Sequence, residues 1–154
     1  MSKTTILLII LMVLVAFVGI FTEQQIETKQ KKEVKTLVDD AVQLIEKKGS
    51  TAFSELKSDS WVTGDLYVFV WRLDGIRVVY PPDVTGEGKN MTDLVDSNGK
   101  AIGKLFIQTA ENGEGWVEYY WPKPNQTEPS KKITYIKRAE YQNQTYLVGA
   151  GFYV

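Results

Sequence analysis

The chain has 154 residues, of which 44% are hydrophobic and 24% are charged, so it is long enough for one globular domain and a short accessory segment. Its 18 basic and 19 acidic residues nearly cancel, which argues against nucleic acid as a partner. Because the sequence has neither cysteine nor histidine, it lacks disulfides, thiolate nucleophiles, zinc–thiolate sites and the usual neutral-pH general base. We therefore expect neither an enzyme nor a cofactor.

The amino-terminal segment carries no charge over residues 4–22 and is almost wholly apolar over residues 6–21. A helix of this length spans roughly 28 Å, close to the ~30 Å of a bilayer core. The positive charge of Lys3 precedes it, as in an uncleaved signal anchor or a signal peptide that is removed. Because no clear Ala-x-Ala cleavage site follows, we predict a transmembrane anchor over residues 1–22.

Two patterns bear on the orientation of this anchor. Four lysines between positions 29 and 35 follow the apolar segment, and the positive-inside rule read mechanically would place the body in the cytoplasm. Against this, three of the five asparagines, Asn90, Asn125 and Asn143, begin Asn-x-Thr glycosylation sequons. The sequons favour an extracytoplasmic body.

A helical pattern follows the anchor. Apolar residues recur at three- and four-residue spacing from Val34 to Ile45, and Gly49 after two lysines is a stop signal. These features predict a helix over residues 23–48, of which residues 23–32 are polar nearly all round and indicate a stalk. Ser50 is then expected to cap a second, short helix.

The remaining pattern is rich in strands. Residues 66–73, with the sequence LYVFVWRL, and residues 76–80 predict a hairpin across the turn Asp74-Gly75. A loop over residues 83–99 leads to a helix at residues 101–110. Further strands are predicted at residues 116–121, 133–139 and 146–154. Strands joined by hairpins imply an antiparallel sheet, so the predicted class is α+β.

Several short motifs occur in order over residues 33–154. They include Gly49–Phe53, Gly64–Val70, Leu73–Gly75, Tyr120–Pro122 and Gly149–Val154. In order and spacing they resemble the single Cache domain of type 2, an extracytoplasmic relative of PAS sensors. The resemblance implies a PAS-like antiparallel sheet with the long N-terminal helix packed on one face and a ligand pocket on the other.

The sequence departs from this family at two positions near the expected pocket or its rim. Tyr80-Pro81 stands where the family often has His-Pro, and Arg72 stands where an acidic residue is common. Family members also usually continue into a second transmembrane helix and an output module, whereas this sequence stops after Val154. The resemblance therefore implies binding without signalling, or signalling through a membrane partner or a homodimer.

Strand alternation assigns candidate ligand-binding residues. On the first strand, the aromatic residues at alternate positions face the expected pocket, and the valines between these residues face the helix. Two later strands contribute alternate residues to the same pocket. Trp61 caps the pocket from its loop, and Lys137 supplies a positive charge for a carboxylate. The candidates are Trp61, Tyr67, Phe69, Trp71, Tyr119, Trp121, Tyr135 and Lys137. Aromatic residues at alternate strand positions are also typical of an ordinary core.

The acidic residues do not form a convincing metal site. Asp74-Gly75 and the segment from Asp96 to Gly99 are typical of turns. We therefore predict a membrane-anchored, extracytoplasmic sensing or binding module for a short organic carboxylate. The alternative is a structural or interaction protein of the cell envelope whose pocket is filled.

Overall fold

The computed structural model describes residues 3–154, with the side chain of Lys3 excepted. The chain divides into two compact units, Met1–Lys32 and Glu33–Val154. Helix α1 spans Lys3–Lys48, so the predicted anchor and the helix predicted over residues 23–48 form one continuous helix. It is the one helix among residues 3–154 that is long and apolar enough to cross a membrane: its 18-residue window has a mean hydropathy of 3.0, and none of that window is buried.

The second unit contains two short helices and six strands besides the end of α1. The helices are α2 (Ala52–Glu55) and α3 (Ile102–Glu111). The strands are β1 (Val62–Thr63), β2 (Leu66–Arg72), β3 (Arg77–Val79), β4 (Glu114–Pro122), β5 (Pro129–Tyr141) and β6 (Gln144–Tyr153). The α+β class is confirmed, although β5 is longer than predicted and β1 was not predicted.

The six strands form one antiparallel sheet in the order β1-β2-β6-β5-β4, and β3 also pairs with β2. Long hairpins set most of the register: Tyr135 pairs with Ala150 on β6 and with Trp116 on β4. Strand β6 thus lies at the centre of the sheet, between β2 and β5.

Two apolar clusters cover the two faces of this sheet. The C-terminal part of α1 buries Val34, Val38 and Ile45 against one face, where Val68 and Val70 of β2 meet them. Helix α3 covers the other face, where Phe106 packs with the aromatic row of β2. The prediction of a long helix packed on one face of a PAS-like sheet is confirmed.

The turn after α1 differs in one detail from the prediction. Gly49 ends the helix with a left-handed backbone, φ 60°, and a Cβ at this position would collide with the ring of Tyr141. Ser50, however, does not cap α2, because it lies inside a 3₁₀ turn formed by Gly49–Thr51. The residue that precedes α2 is Thr51, whose side chain makes no capping hydrogen bond.

Candidate functional site

A cavity opens on the α3 side of the sheet. Its free space is about 290 Å³ including the mouth, and about 20 Å³ of this admits the centre of a water molecule. The space that admits a water centre is far below the ~300 Å³ at which pockets for drug-sized ligands start, and it holds about one water molecule. Ten residues line it: Tyr67, Phe69, Trp71, Arg77, Tyr80, Leu94, Ile102, Phe106, Tyr119 and Trp121.

Aromatic contacts fix one wall of this cavity. The ring centroid of Phe106 on α3 lies 5.7 Å from Phe69, 5.5 Å from Trp71 and 5.2 Å from Tyr119. All three distances fall within the range of favourable aromatic pairs. Trp121 donates from Nε1 to the Tyr80 hydroxyl at 3.2 Å, which ties the rim on β4 to the residue that follows β3. The wall is therefore held in place before any ligand binds.

A buried lysine lies directly behind Tyr67. The side chain of Lys132 is 1% exposed, and its Nζ donates to the Tyr67 hydroxyl at 2.9 Å. The same ammonium lies 4.2 Å from the Tyr67 ring centroid and 4.7 Å from that of Tyr153. Among the described residues, no carboxylate forms an ion pair with it; Asp65 acts only at longer range. Burying a charged amine without a counterion costs free energy.

Burial changes the acid–base behaviour of this group. Removal from water lowers the pKa of Lys132 to about 7, although the distant charge of Asp65 opposes the change. Burial also raises the pKa of the Tyr67 hydroxyl well above its ordinary value, with further contributions from the hydroxyls of Tyr80, Tyr119 and Tyr153. Tyr67 is therefore a neutral hydrogen-bonding group near neutral pH, whereas Lys132 exists in both charge states.

A second cation, Arg77, lines the cavity itself. Its side chain is 7% exposed, and its guanidinium carbon lies 4.1 Å from the Tyr80 ring centroid. Its buried Nε has no hydrogen-bond partner in the part of the chain that the structure describes. Burial lowers the pKa of Arg77, while the hydroxyls of Tyr80 and Tyr67 act in the opposite direction. An arginine still remains charged at all physiological pH values, so Arg77 adds a buried positive charge to the cavity lining.

Five of the predicted site residues line the cavity together. Tyr67, Phe69 and Trp71 project from β2, and Tyr119 and Trp121 project from β4. The predicted faces of these two strands are therefore correct. Whether these residues bind a ligand remains a prediction.

The predicted placement of Tyr135, Lys137 and Trp61 at the pocket is wrong. Tyr135 belongs to the cluster under α1, and Lys137 points to the same face, where its Nζ lies 2.6 Å from Asp39 of that helix. Trp61 also packs against the cluster under α1. The pairing of β5 with β6 sets its register, and that register turns Lys132, Thr134 and Ile136, rather than residues 133, 135 and 137, to the α3 side.

Several residues at this site were missed in the assignment from sequence. Lys132 and Arg77 were not considered, although both are cations within predicted or extended strands. Tyr80 was noted only as a departure from the family pattern, and it does line the cavity. Arg72, the other departure, is instead exposed and paired with Asp74 of the hairpin turn. No signal in the sequence identified Lys132, because both rows of this strand contain a lysine.

Acidic groups do not assemble a metal centre here. Within residues 3–154 no group of three or more metal-ligating side chains lies close enough to hold an ion. Asp96 instead accepts backbone N–H groups from Asn98, Lys100 and Tyr120 at 2.9, 2.9 and 3.0 Å. It organises the turn that had been predicted from sequence and fastens it to the outer edge of β4.

Comparison with known proteins identifies the family. A sequence model of the Cache domain, dCache_2, matches residues 50–154. The match covers more than half of the chain, so the chain belongs to the Cache domain family. The resemblance to Cache domains noted from the sequence is confirmed.

Similar proteins are sensor receptors. The chain is 31% identical over 90 residues to the sensor histidine kinase MctS of Rhizobium johnstonii (strain DSM 114642 / LMG 32736 / 3841), a match covering 58% of this chain but only 19% of the kinase. A solved periplasmic sensor domain of a chemotaxis protein has a TM-score of 0.71 and 29% identity, with 84% of this chain and 97% of that domain covered. A Cache chemosensory domain described for carboxylic acid recognition has the same fold, with a TM-score of 0.69, 24% identity and coverage of 85% and 97%.

Proposed function

We propose that this chain is an extracytoplasmic sensing or binding module for a short organic carboxylate, held in the cavity on the α3 side of the sheet. The observation that carries the proposal is Lys132, a buried ammonium with a tyrosine hydroxyl and two aromatic faces around it but no ion-pair partner among residues 3–154. Burying an unpaired cation costs free energy. A bound carboxylate would offset that cost.

The arrangement of donors determines what kind of ligand fits. Arg77 lines the cavity, and Lys132 reaches it through the hydroxyl of Tyr67, so the positive charge lies toward one end. Phe69, Trp71 and Phe106 form the apolar remainder. A carboxylate would accept hydrogen bonds at the charged end, and a short alkyl chain would pack against the rings. Because only about 20 Å³ admits a water centre, a ligand with even a few carbon atoms requires the aromatic side chains to move apart.

The location of the domain is part of this proposal. Cache domains of receptors are extracytoplasmic and membrane-anchored, and the apolar part of α1 supplies a helix of the required length. The match to the kinase MctS covers only 19% of that protein, and the aligned region does not include the output module of the kinase. We propose that signalling, where it occurs, passes through a membrane partner or a homodimer.

A thermal-shift screen of the detergent-solubilised chain tests the function. Acetate, propionate, butyrate, lactate and pyruvate would be compared with the corresponding amides, which lack the charge. A ligand that binds only the native state raises the melting temperature. We expect at least one carboxylate to do so and its amide to do so far less.

A matched pair of variants links the response to the site. Lys132→Met removes the buried ammonium, and Lys137→Met makes the same change on the same strand but on the opposite face. We expect the first to lose the carboxylate response and the second to keep it. Equal responses of both variants and the wild type would remove Lys132 from the site.

The alternative remains a structural or interaction protein of the envelope. Only about 20 Å³ of the cavity admits a water centre, so the aromatic side chains already occupy most of the space. For a filled pocket of this kind, none of the carboxylates would raise the melting temperature. That result at millimolar ligand would favour the alternative over the sensing module.

A further inference from the structure

Three Asn-x-Thr sequons remain unexplained by ligand binding. They begin at Asn90, Asn125 and Asn143, whereas Asn98 and Asn112 are followed two positions later by lysine and glutamate. All five asparagines are exposed, so exposure alone does not distinguish them. An acceptor for N-linked glycosylation must also present its tripeptide on a surface loop. The backbone around each sequon therefore decides which of them can be used.

The sequon at Asn90 is held by hydrogen bonds of all three of its residues. Asn90 forms a β-bridge with Ile76, and its own Oδ1 accepts the N–H of Thr92 at 2.9 Å. The N–H of Met91 donates to the carbonyl of Gly75 at 2.8 Å. This tripeptide is part of the packing around the β2–β3 turn and is not a free loop.

The sequon at Asn143 is also engaged in the sheet. Asn143 lies in the tight turn between β5 and β6, and Gln144 and Thr145 are the first two residues of β6. They pair with Tyr141 and Glu140, respectively, and the carbonyl of Thr145 accepts the N–H of Leu73 at 3.0 Å. A transferase could bind this tripeptide only by opening the end of the sheet.

The sequon at Asn125 is different. Residues 125–128 are all exposed and lie between the last residue of β4 and the first of β5, beyond the final pair Pro122–Pro129. Asn125 has a left-handed backbone, φ 61°, which places it at the tip of a turn where asparagine is favoured. The N–H of Gln126 donates to the carbonyl of Lys123 at 3.0 Å, a contact local to the loop. The whole tripeptide can thus be presented without disturbing the sheet.

We propose that Asn125 is an N-glycosylation site and that it is used in preference to Asn90 and Asn143. The donor is a lipid-phosphate-linked oligosaccharide outside the cytoplasm, so the proposal rests on the extracytoplasmic location proposed above. The Nδ2 atom of Asn125 forms a bond to C1 of the sugar as the C1–O bond to the carrier phosphate breaks. The phosphate leaves with the bonding electron pair, and the amide releases one proton to a base of the transferase.

Mass spectrometry of the full-length chain, purified from the membranes of the cells that naturally encode it, tests this inference. We expect the peptide containing Asn125 to carry the added mass of a sugar. After enzymatic deglycosylation in ¹⁸O water, Asn125 should be converted to an aspartate that contains heavy oxygen. Peptides containing Asn98 and Asn112 are internal controls and should be unmodified. Unmodified Asn125 in all of the recovered protein would overturn the proposal.

Three variants expressed in the same cells sharpen the test. Thr127→Ala should abolish the added mass, Thr127→Ser should retain it because the hydroxyl remains, and Thr145→Ala, which removes the third sequon, should leave it unchanged. Loss of the sugar in all three would indicate that folding rather than the sequon decides the modification, which would contradict the proposal.

Protease accessibility on intact cells separates this inference from the location on which it rests. A body that is digested from outside and carries no sugar on Asn125 overturns the glycosylation alone. A body protected until lysis overturns the extracytoplasmic location, and the glycosylation proposal fails with it.

Discussion

The Lys132→Met substitution offers the sharpest test of the site, because it should raise stability while it abolishes binding. Burial lowers the pKa of Lys132 from its ordinary 10.5 to about 7. Each pKa unit corresponds to about 1.4 kcal/mol, so below pH 7 the charged lysine destabilises the folded state by several kcal/mol. Methionine preserves most of the aliphatic volume and removes this cost.

The substitution also has a smaller unfavourable effect. It deletes the hydrogen bond from Lys132 to the Tyr67 hydroxyl, a loss of about 1 kcal/mol. We therefore expect a net gain of at least about 2 kcal/mol at pH 6, which corresponds to a rise in melting temperature of about 8 °C at roughly 4 °C per kcal/mol. Carboxylate affinity should fall about tenfold or more, because the charge that acts on the ligand through the Tyr67 hydroxyl is lost.

The pH dependence follows from the sign of the pKa change. A lysine with a lowered folded-state pKa destabilises the protein fully below pH 7, progressively less from pH 7 to 10.5, and not at all above that range. The advantage of the methionine variant should therefore be largest at pH 6, and it should disappear at a pH below 10.5, where the lost hydrogen bond outweighs the remaining cost of the charge. Differential scanning calorimetry of both proteins across this range checks it. A variant that melts lower than the wild type at pH 6 would refute the reasoning, as would one that still binds carboxylate.

The same site and its surroundings yield three further expectations. Carboxylate affinity of the wild type, measured by titration calorimetry, should be constant below pH 7 and fall by up to about tenfold per pH unit above it, because binding then requires protonation of Lys132; a flat profile to pH 9 would contradict this. Gly103→Ala should destabilise the domain by about 2 kcal/mol or more in urea unfolding, since a Cβ at this helix position would collide with the carbonyl of Met91. Asp96→Ala should destabilise it by about 3 kcal/mol, because three backbone N–H groups, including that of Tyr120, lose their acceptor. Wild-type stability of either variant would show that the contacts of that residue do not stabilise the domain.

The faces of β2 could be predicted because its residues alternate strongly in chemical type. On β2, aromatic residues at 67, 69 and 71 alternate with valines, and the structure places the two rows on opposite faces. The faces of β5 could not be predicted in this way. Each of its rows contains a lysine, so local chemistry gives no clear preference between Lys132 and Lys137. The choice depends on pairing with β6, which is a contact between distant parts of the fold.

Arg77 was missed for a related reason. Strand β3 has only three residues, too few for a period of two to be recognised. Nothing in the neighbouring sequence indicates that a charged residue beside two valines is buried. Burial becomes favourable only where the ring of Tyr80 meets the guanidinium, and this contact depends on the path of the loop after β3. Buried cations of this kind are the features that hydrophobic patterning is least able to reveal.

Strand β5 has different neighbours on its two faces. Thr134 faces the cavity side, where its hydroxyl lies 3.1 Å from that of Tyr119, and the next residue, Tyr135, accepts a hydrogen bond from Lys35 of α1. One rigid peptide unit joins these two residues. The cavity wall and helix α1 are thus hydrogen-bonded to adjacent residues of one strand, on its two opposite faces.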